Sequence, residues 1–416
     1  MKINRNLTFE LVTPAFSGQI DSDPRYPEGF SGRCLKPLLR YWWRALNPIE
    51  PGELRRREAE IFGSTEKGQL MTVRPMASNF NFDTGTDPGY IPPHSIIGYC
   101  PEDLGDVIPY LGYGVLSRKK DHNNLPHIYN DAPMYRPRRE FSFSLGFRQE
   151  YRQDFEAALW MFSVFGGWGR RTRRGFGSLR AIYDFESFPK LEADSVDQAH
   201  EVIRKGLEIA KRLALQSTGK SELPECPGHT ALCRGFRVLV PDVEEFYKDS
   251  KSALNALGDG FYRYRRSLGA YFNHCAPNGC DHDERYRYAG CNRPPTNLHP
   301  LQATQFGLPL NAKLRGNGKN ADVSCESGRR GSPLFMSVVG FGPDKLLPVI
   351  AYFPAEFLPA GNNVNIKVHT AGNPIWQADF PSTGDDKEIT KFLNGLDAGS
   401  CIGCYQFPKA KWEEIV

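Results

Sequence analysis

Phe141-Ser142-Phe143-Ser144-Leu145-Gly146-Phe147 alternates large apolar with small or polar residues without a break, and it anchors the reading of the chain. A period of two puts the large side chains on one face of a strand, the pattern of a sheet covered on one side. Working outward, residues 151–165 carry Phe155, Leu159, Phe162 and Phe165 near one face of a helix. Gly166-Gly167-Trp168-Gly169-Arg170-Arg171-Thr172-Arg173-Arg174-Gly175 follows, then a strand at Ser178-Leu179-Arg180-Ala181-Ile182-Tyr183. Upstream, Leu7-Thr8-Phe9-Glu10-Leu11-Val12-Thr13 reads as the first strand. A helix over 34–47 sets Leu35, Leu38, Leu39, Trp42 and Leu46 on one face, with Lys36, Arg40 and Arg44 opposite. Pro37 is tolerated in its first turn, and Pro48 and Pro51 end it. A second helix over 53–62 and a strand around 70–74 complete this part.

Strand, helix, strand, strand, helix, strand is the order of a ferredoxin-like, or RRM-like, domain. Residues 77–139, rich in Pro, Gly, Asn and Tyr and without clear periodicity, read as a long insertion into it. The acidic segment 186–197 reads as a linker. Beyond it come a helix over 196–214, a strand over 235–240 and a long helix over 243–271. Paired strands over 332–341 and 346–353 and a short helix over 386–394 follow. The expectation is an α+β chain of two tandem ferredoxin-like (RRM-like) domains with insertions, 1–188 and 189–416.

The bulk numbers agree with that picture. A chain of 416 residues exceeds one ordinary core. Its 40% hydrophobic, 24% charged and 12% aromatic fractions exclude a disordered chain. No run of about 18 apolar residues is present, so no membrane span is expected. Met1-Lys2-Ile3-Asn4-Arg5 lacks the apolar core of a secretory signal, which points to a cytoplasmic protein. A net charge of +4 does not by itself predict nucleic-acid binding; the clustering of that charge does.

The cluster is the Gly/Arg loop. Arg170, Arg171, Arg173 and Arg174 place four guanidiniums within five positions, and their repulsion calls for anions. The surrounding glycines let backbone approach a partner closely, and a polyphosphate chain meets both needs. The plainer alternative is a solvated turn. For Arg40 and Arg44 the plainer alternative is a basic solvated helix face, although the topology lets that face and the loop line one groove together with Arg33. Arg263-Tyr264-Arg265-Arg266, with Arg285, Arg287 and Arg293, suits RNA stacking or a subunit contact, and equally a helix whose tyrosines pack.

Four stretches carry a resemblance. They are Thr13-Pro14-Ala15-Phe16-Ser17-Gly18, then Ser31-Gly32-Arg33-Cys34-Leu35-Lys36-Pro37-Leu38-Leu39-Arg40-Tyr41-Trp42-Trp43-Arg44-Ala45-Leu46, then Glu60-Ile61-Phe62-Gly63-Ser64, and the Gly/Arg loop. Together they resemble the RAMP superfamily of CRISPR proteins. Within it, the double-tryptophan helix and the Ile-Phe-Gly-Ser element resemble the first-subunit family of the type III-B Cmr effector complex. These motifs cover residues 7–182; Phe306-Gly307-Leu308-Pro309 and Arg329-Arg330-Gly331-Ser332-Pro333-Leu334 add a less specific likeness. The resemblance implies a non-catalytic subunit of two ferredoxin-like domains, active in antiviral defence. Such a subunit holds the 3′ part of the CRISPR RNA, meets the 5′ side of target RNA and touches other Cmr-type RAMP subunits. It implies RNA contacts at Arg33, Lys36, Arg40 and Arg44, and at Gly167, Gly169, Arg170, Arg171, Arg173, Arg174 and Gly175. The insertion, near 80–135, resembles the hairpin or thumb such proteins push between bases.

RAMP relatives also include metal-independent endoribonucleases, so a CRISPR-RNA-processing nuclease is the alternative. Acid–base cleavage of RNA commonly uses His with Lys or Tyr. None of the nine histidines lies in the first 93 residues; His94, His122 and His127 fall in the insertion. Asp21, Asp23, Asp83 and Asp87 sit in turns, where carboxylates usually cap or solvate. No Ser-His-Asp spacing, P-loop or H-E-x-x-H occurs, and no catalytic residue or required cofactor is assigned. A third reading is an assembly protein with basic surfaces for acidic partners.

Ten cysteines without a signal segment read as thiols or metal ligands. Cys275, Cys280, His282 and Cys291 can supply a tetrahedral structural zinc site, though not at the spacing of a standard finger, and Cys401-x2-Cys404 has knuckle geometry without a second pair nearby. The competing reading is a loop of unlinked thiols. Metal analysis of the purified protein separates the two: stoichiometric zinc supports the ligand reading, and zinc near zero removes it.

Overall fold

In the computed structural model of the chain, the described residues are 2–17, 30–66, 68, 71–76, 89–99, 107–121, 123–225, 227–270, 292–294, 302–313, 319–326, 328–356, 358, 363–380, 387–398 and 411–416. They fall into two compact units. The first comprises Met1–Asp259, Phe335–Phe353 and Trp412–Val416; the second comprises Gly260–Leu334 and Pro354–Lys411.

The first unit holds the sheet expected from the opening strand. Its antiparallel order is Leu179–Ile182, Lys2–Leu11, Glu140–Arg148, Thr72–Pro75. Phe9 stands opposite Phe141 and Leu7 opposite Phe143, and all four are buried. Thr8 and Ser142, on the other face, share a hydrogen bond of 2.9 Å. A period of two thus does what the sequence said, sorting one face into the core and the other toward water. The helices Gly32–Ala45 and Arg152–Phe165 cover the apolar face. Trp43 ties them together: its Nε1 donates to Asp154 Oδ1 at 2.8 Å, and burial holds that carboxyl above its usual pKa.

A second four-stranded antiparallel sheet lies in the same unit, ordered Leu334–Gly340, Leu346–Tyr352, Arg237–Pro241, Trp412–Glu414. Its first two strands are buried along their whole length, as strands covered on both faces must be. The two sheets share one core, because Arg152–Phe165 runs through it. The sequence assigned this helix one apolar face, but every residue from Phe155 to Phe165 is buried. Phe165 packs on Phe236 and Phe353, Trp160 packs on Phe188, and Ser337 Oγ donates to the Val164 carbonyl. A helix apolar all round belongs in the middle of a protein.

Other boundaries moved for local reasons. The helix Val196–Thr218 is capped by Ser195, whose Oγ accepts from Gln198 N at 3.2 Å, and it ends at Gly219 in the left-handed conformation. The helix Ser250–Ala270 starts later than 243 because Tyr247 exchanges backbone hydrogen bonds with Leu346 and Asp249 caps Ser252. The insertion, expected to lack clear periodicity, contains one small three-stranded sheet and contributes two strands, Tyr90–Ile91 and Met134–Tyr135, to a second one completed by Ala15–Phe16. Its strands are two to five residues long, too short to show a period. A polar side chain organises it: fully buried Asn130 donates to the Pro92 and Ala132 carbonyls at 2.7 and 3.1 Å and accepts from Ser95 N at 2.8 Å.

The second unit contains a four-stranded antiparallel sheet the sequence reading did not identify: Leu310–Lys313, Lys319–Cys325, Val364–Thr370 and Asn373–Phe380. Its core is Ala321, Val323, Val364, Ile366, Val368, Trp376 and Phe380. The helix Lys387–Ala398 matches the short one expected; Phe392 packs on Phe261 and Phe306, and Tyr264 OH bonds buried Glu388 at 2.7 Å.

Gly206 gives a sharp test of the packing. In mid-helix, alanine normally stabilises by about 1 kcal/mol over glycine. Here an added Cβ would lie 2.0 Å from Trp160 Cζ2. Gly206→Ala should therefore lower stability by about 1–3 kcal/mol, read as a lower melting temperature. A raised melting temperature would contradict the packing described.

Candidate nucleic-acid interface

The Gly/Arg loop is built against the segment Thr13-Pro14-Ala15-Phe16. Thr13 Oγ1 donates to the Gly175 carbonyl at 2.6 Å and accepts from Ser178 N at 3.0 Å. Gly177 N donates to the Pro14 carbonyl at 2.8 Å, Arg170 N to Phe16 at 2.9 Å, and Trp168 N to Gly177 at 2.8 Å. Trp168 packs among Phe30, Tyr135 and Phe141. The glycines serve this self-packing. Gly169 sits at φ +96°, and a Cβ there would be 2.3 Å from the Phe16 carbonyl oxygen. A Cβ on buried Gly167 would lie 2.9 Å from Gly177 O, and one on buried Gly175 would lie 2.5 Å from Leu257. The close approach these three glycines permit includes one to the protein's own atoms.

The four arginines divide into two pairs. Arg173 lies 4.4 Å over the Phe335 ring and donates Nη2 to Tyr41 OH at 3.1 Å. Arg174 forms a backbone bridge with Met336, and its Nη1 is 3.8 Å from that residue's sulfur. Met336 N reaches the Arg173 carbonyl, and Val338 N donates to Ser178 Oγ at 3.1 Å. This half of the loop thus covers an edge strand of the second sheet, whose unpaired N–H groups need partners. Arg170 and Arg171 are different. Arg171 is exposed and Arg170 half-exposed, and among the described residues neither guanidinium has a hydrogen bond or an ion pair. Partial desolvation, then the Arg170 charge, pushes the Arg171 pKa below its ordinary value.

The helix Gly32–Ala45 divides the same way. Arg33 is exposed and has no partner among the described residues. Phe30, just upstream, packs on Trp168 at 5.4 Å and ties the start of this helix to the loop. Lys36 is half-buried with Nζ 3.3 Å from the Met71 carbonyl; burial, then the Arg40 charge, lowers its pKa. Arg40 donates to the Gly63 carbonyl, lies 3.5 Å from Glu58 and stands over Phe62. Arg44 grips Glu58 with Nε and Nη2, the latter at 2.8 Å. Glu58 is buried on the helix Pro51–Phe62. The spacing of Lys36, Arg40 and Arg44 therefore marks an internal ion cluster as well as a basic stripe. The signal that reveals it, an acid on the facing helix, lies outside the stripe itself.

Both described insertion histidines lie near Lys119: His127 stands opposite it across the strand pair, and His94 shares Asp131 with it at 3.6 Å from the lysine. His127 lies 3.1 Å from Asp121, whose other oxygen accepts from Asn123 N and Leu125 N; His94 is 4.0 Å from Asp131. Among the described residues no group of three or more His, Cys, Asp or Glu could hold a metal. Cys275, Cys280, His282, Cys291, Cys401, Cys404, His122, Asp21, Asp23, Asp83, Asp87, Arg285 and Arg287 lie outside the described residues, as do the side chains of Arg263, Arg265 and Arg266. Tyr264 packs in the second unit's core, and Arg293 is exposed.

The division is measurable. Glu58→Ala takes the shared carboxylate from Arg40 and Arg44, and Arg44→Ala leaves buried Glu58 with Arg40 alone; each should cost about 1–3 kcal/mol of stability. Ala at Arg33, Arg170 or Arg171 should stay within about 0.5 kcal/mol of the parent. Equal losses from both groups would remove the distinction.

Comparison with known proteins bears on the whole. A sequence profile of the RAMP superfamily matches residues 8–180. The chain is 31% identical over 179 residues to the CRISPR system Cmr subunit Cmr1-2 of Pyrococcus furiosus, spanning 41% of this chain and 91% of that relative. The apo crystal structure of Cmr1 from Pyrococcus furiosus superposes with a TM-score of 0.52 at 16% identity, covering 99% of this chain and 98% of that one, and shares its fold. A cryo-EM structure of a type III-B Cmr-beta complex bound to cognate target RNA aligns at a TM-score of 0.26 over 44% of this chain, too distant to weigh. With the antiparallel sheets, the Thr13–loop packing and the double-tryptophan helix in place, the chain belongs to the RAMP superfamily, among the Cmr1-like proteins of CRISPR systems.

Proposed function

We propose that this chain is a non-catalytic, RNA-binding subunit of a type III-B effector complex. In this reading it holds the 3′ part of the CRISPR RNA, meets the 5′ side of target RNA and contacts other Cmr-type RAMP subunits in the cytoplasm. Its two four-stranded sheets are the cores of two tandem ferredoxin-like domains. In support, each sheet has the order last–first–third–second when its strands are counted along the chain, and each intersperses helices in the split pattern. No described helix is long and apolar enough to cross a membrane.

One observation carries the RNA reading. The loop pairs Trp168 N, Arg170 N, Arg174 N and the Arg171, Arg173 and Gly175 carbonyls with protein partners, yet the guanidiniums of Arg170, Arg171 and Arg33 have none among the described residues. Guanidiniums held on a rigid frame and not neutralised internally suit phosphate, which they bind bidentately. Lys36, Arg40 and Arg44 then act mainly by fixing the helix that presents Arg33. Arg173 and Arg174 fix the loop that presents Arg170 and Arg171. In support of the non-catalytic reading, both described insertion histidines are engaged by carboxylates, His127 by Asp121 and His94 by Asp131. Structural zinc at Cys275, Cys280, His282 and Cys291 is a separate proposal that RNA binding does not require.

The full-length chain carrying Arg33→Ala, Arg170→Ala and Arg171→Ala should bind single-stranded RNA about tenfold or more weakly. Its salt slope should shrink by about 0.7 for each phosphate no longer held, with melting unchanged. Unaltered affinity and slope would contradict the assignment.

A further inference from the structure

We propose that Tyr113 and Arg171 form a one-nucleotide clasp for single-stranded RNA: the Tyr113 ring stacks on a base, and Arg171, with Arg170, holds the adjoining phosphate. This rests on the RNA-binding reading above and names a subsite within it.

Tyr113 stands out in a chain that buries most of its aromatic rings. It is 69% exposed, the highest value among the exposed large hydrophobic side chains described. Its backbone is held while its ring is free. Tyr113 N donates to the Tyr110 carbonyl at 3.3 Å, Tyr113 bridges to Leu116, and Val115 and Leu116 are buried just beyond it. The insertion therefore presents this ring from a fixed turn.

Arg171 approaches the same point from the Gly/Arg loop. Its Nη2 lies 3.1 Å from where a Cβ on Gly114 would be, so the guanidinium rests over the backbone next to Tyr113. Gly114 has φ +84° and Arg171 has φ +64°. The left-handed region is unusual for a non-glycine residue, and such conformations persist where the surroundings impose them. Here Arg170 N is bonded to Phe16 and Arg174 N to the Arg171 carbonyl, which fixes Arg171 from both sides. A strained cation without a partner among the described residues, beside a second such cation and an open ring, is a site prepared for a ligand with a flat face and an adjacent negative charge. A nucleotide has both. An acidic peptide would satisfy the guanidiniums but leave the ring unused. Stacking tolerates any base, which suits a strand of arbitrary sequence.

The test compares binding of a labelled oligoadenylate with an abasic ribose-phosphate strand of equal length, using the full-length chain. Tyr113→Ala should weaken oligoadenylate roughly five- to a hundredfold, leave the abasic strand and the salt slope unchanged, and melt like the parent. Tyr113→Phe should bind as the parent does. Arg171→Ala should weaken both strands and reduce the slope by about 0.7. If Tyr113→Ala binds oligoadenylate normally while Arg171→Ala does not, the clasp is overturned and the RNA reading stands. If the parent binds neither strand, both fall. Capture of oligoglutamate as tightly as RNA, indifferent to Tyr113, would overturn the clasp in favour of a protein partner.

Discussion

The Thr13 hydroxyl and the loop it organises hold this structure together. One hydrogen bond to the Gly175 carbonyl and one from Ser178 N fasten the segment after the first strand to the segment before the last. From that seam the loop reaches across to the edge of the second sheet through Arg173, Arg174 and Ser178. An edge strand left open invites pairing with another chain, so covering it is a structural duty in its own right. The buried helix Arg152–Phe165, leading directly into the loop, shares one core between the two sheets.

That duty explains a composition that looks purely electrostatic in the sequence. The glycines allow backbone to pass against backbone at Phe16 and Trp168, distances no side chain would permit. Half of the arginines pack against Phe335, Tyr41 and Met336. What remains for a partner is narrower than the whole cluster: Arg170, Arg171 and Arg33, on a frame the other residues make rigid. Preorganised charge loses little freedom on binding, so a few such groups outweigh many mobile ones.

The legible and illegible parts of the sequence differ for physical reasons. Residues 141–147 were readable because large and small residues alternate strictly, and the sheet buries one side of them. The helix 152–165 was half-readable: its phenylalanines mark a face toward the first sheet, but burial of the other faces depends on a sheet formed almost two hundred residues later. The strand Lys319–Cys325 escaped notice because its inward positions are Ala321, Val323 and Cys325, too small to stand out. The insertion escaped because Asn130, rather than an apolar stripe, organises it. Composition counted guanidiniums correctly but could not say which ones the protein keeps. Glu58, which takes Arg40 and Arg44, sits on a different helix.

The most direct measurement is photo-crosslinking of the full-length chain to single-stranded RNA bearing 4-thiouridine, with the crosslinked peptides mapped by mass spectrometry. The result expected is crosslinks in peptides that contain Tyr113 and Arg170–Arg171. Crosslinks confined to residues of the second compact unit, with none in those peptides, would contradict the assignment of RNA to the unpaired arginines.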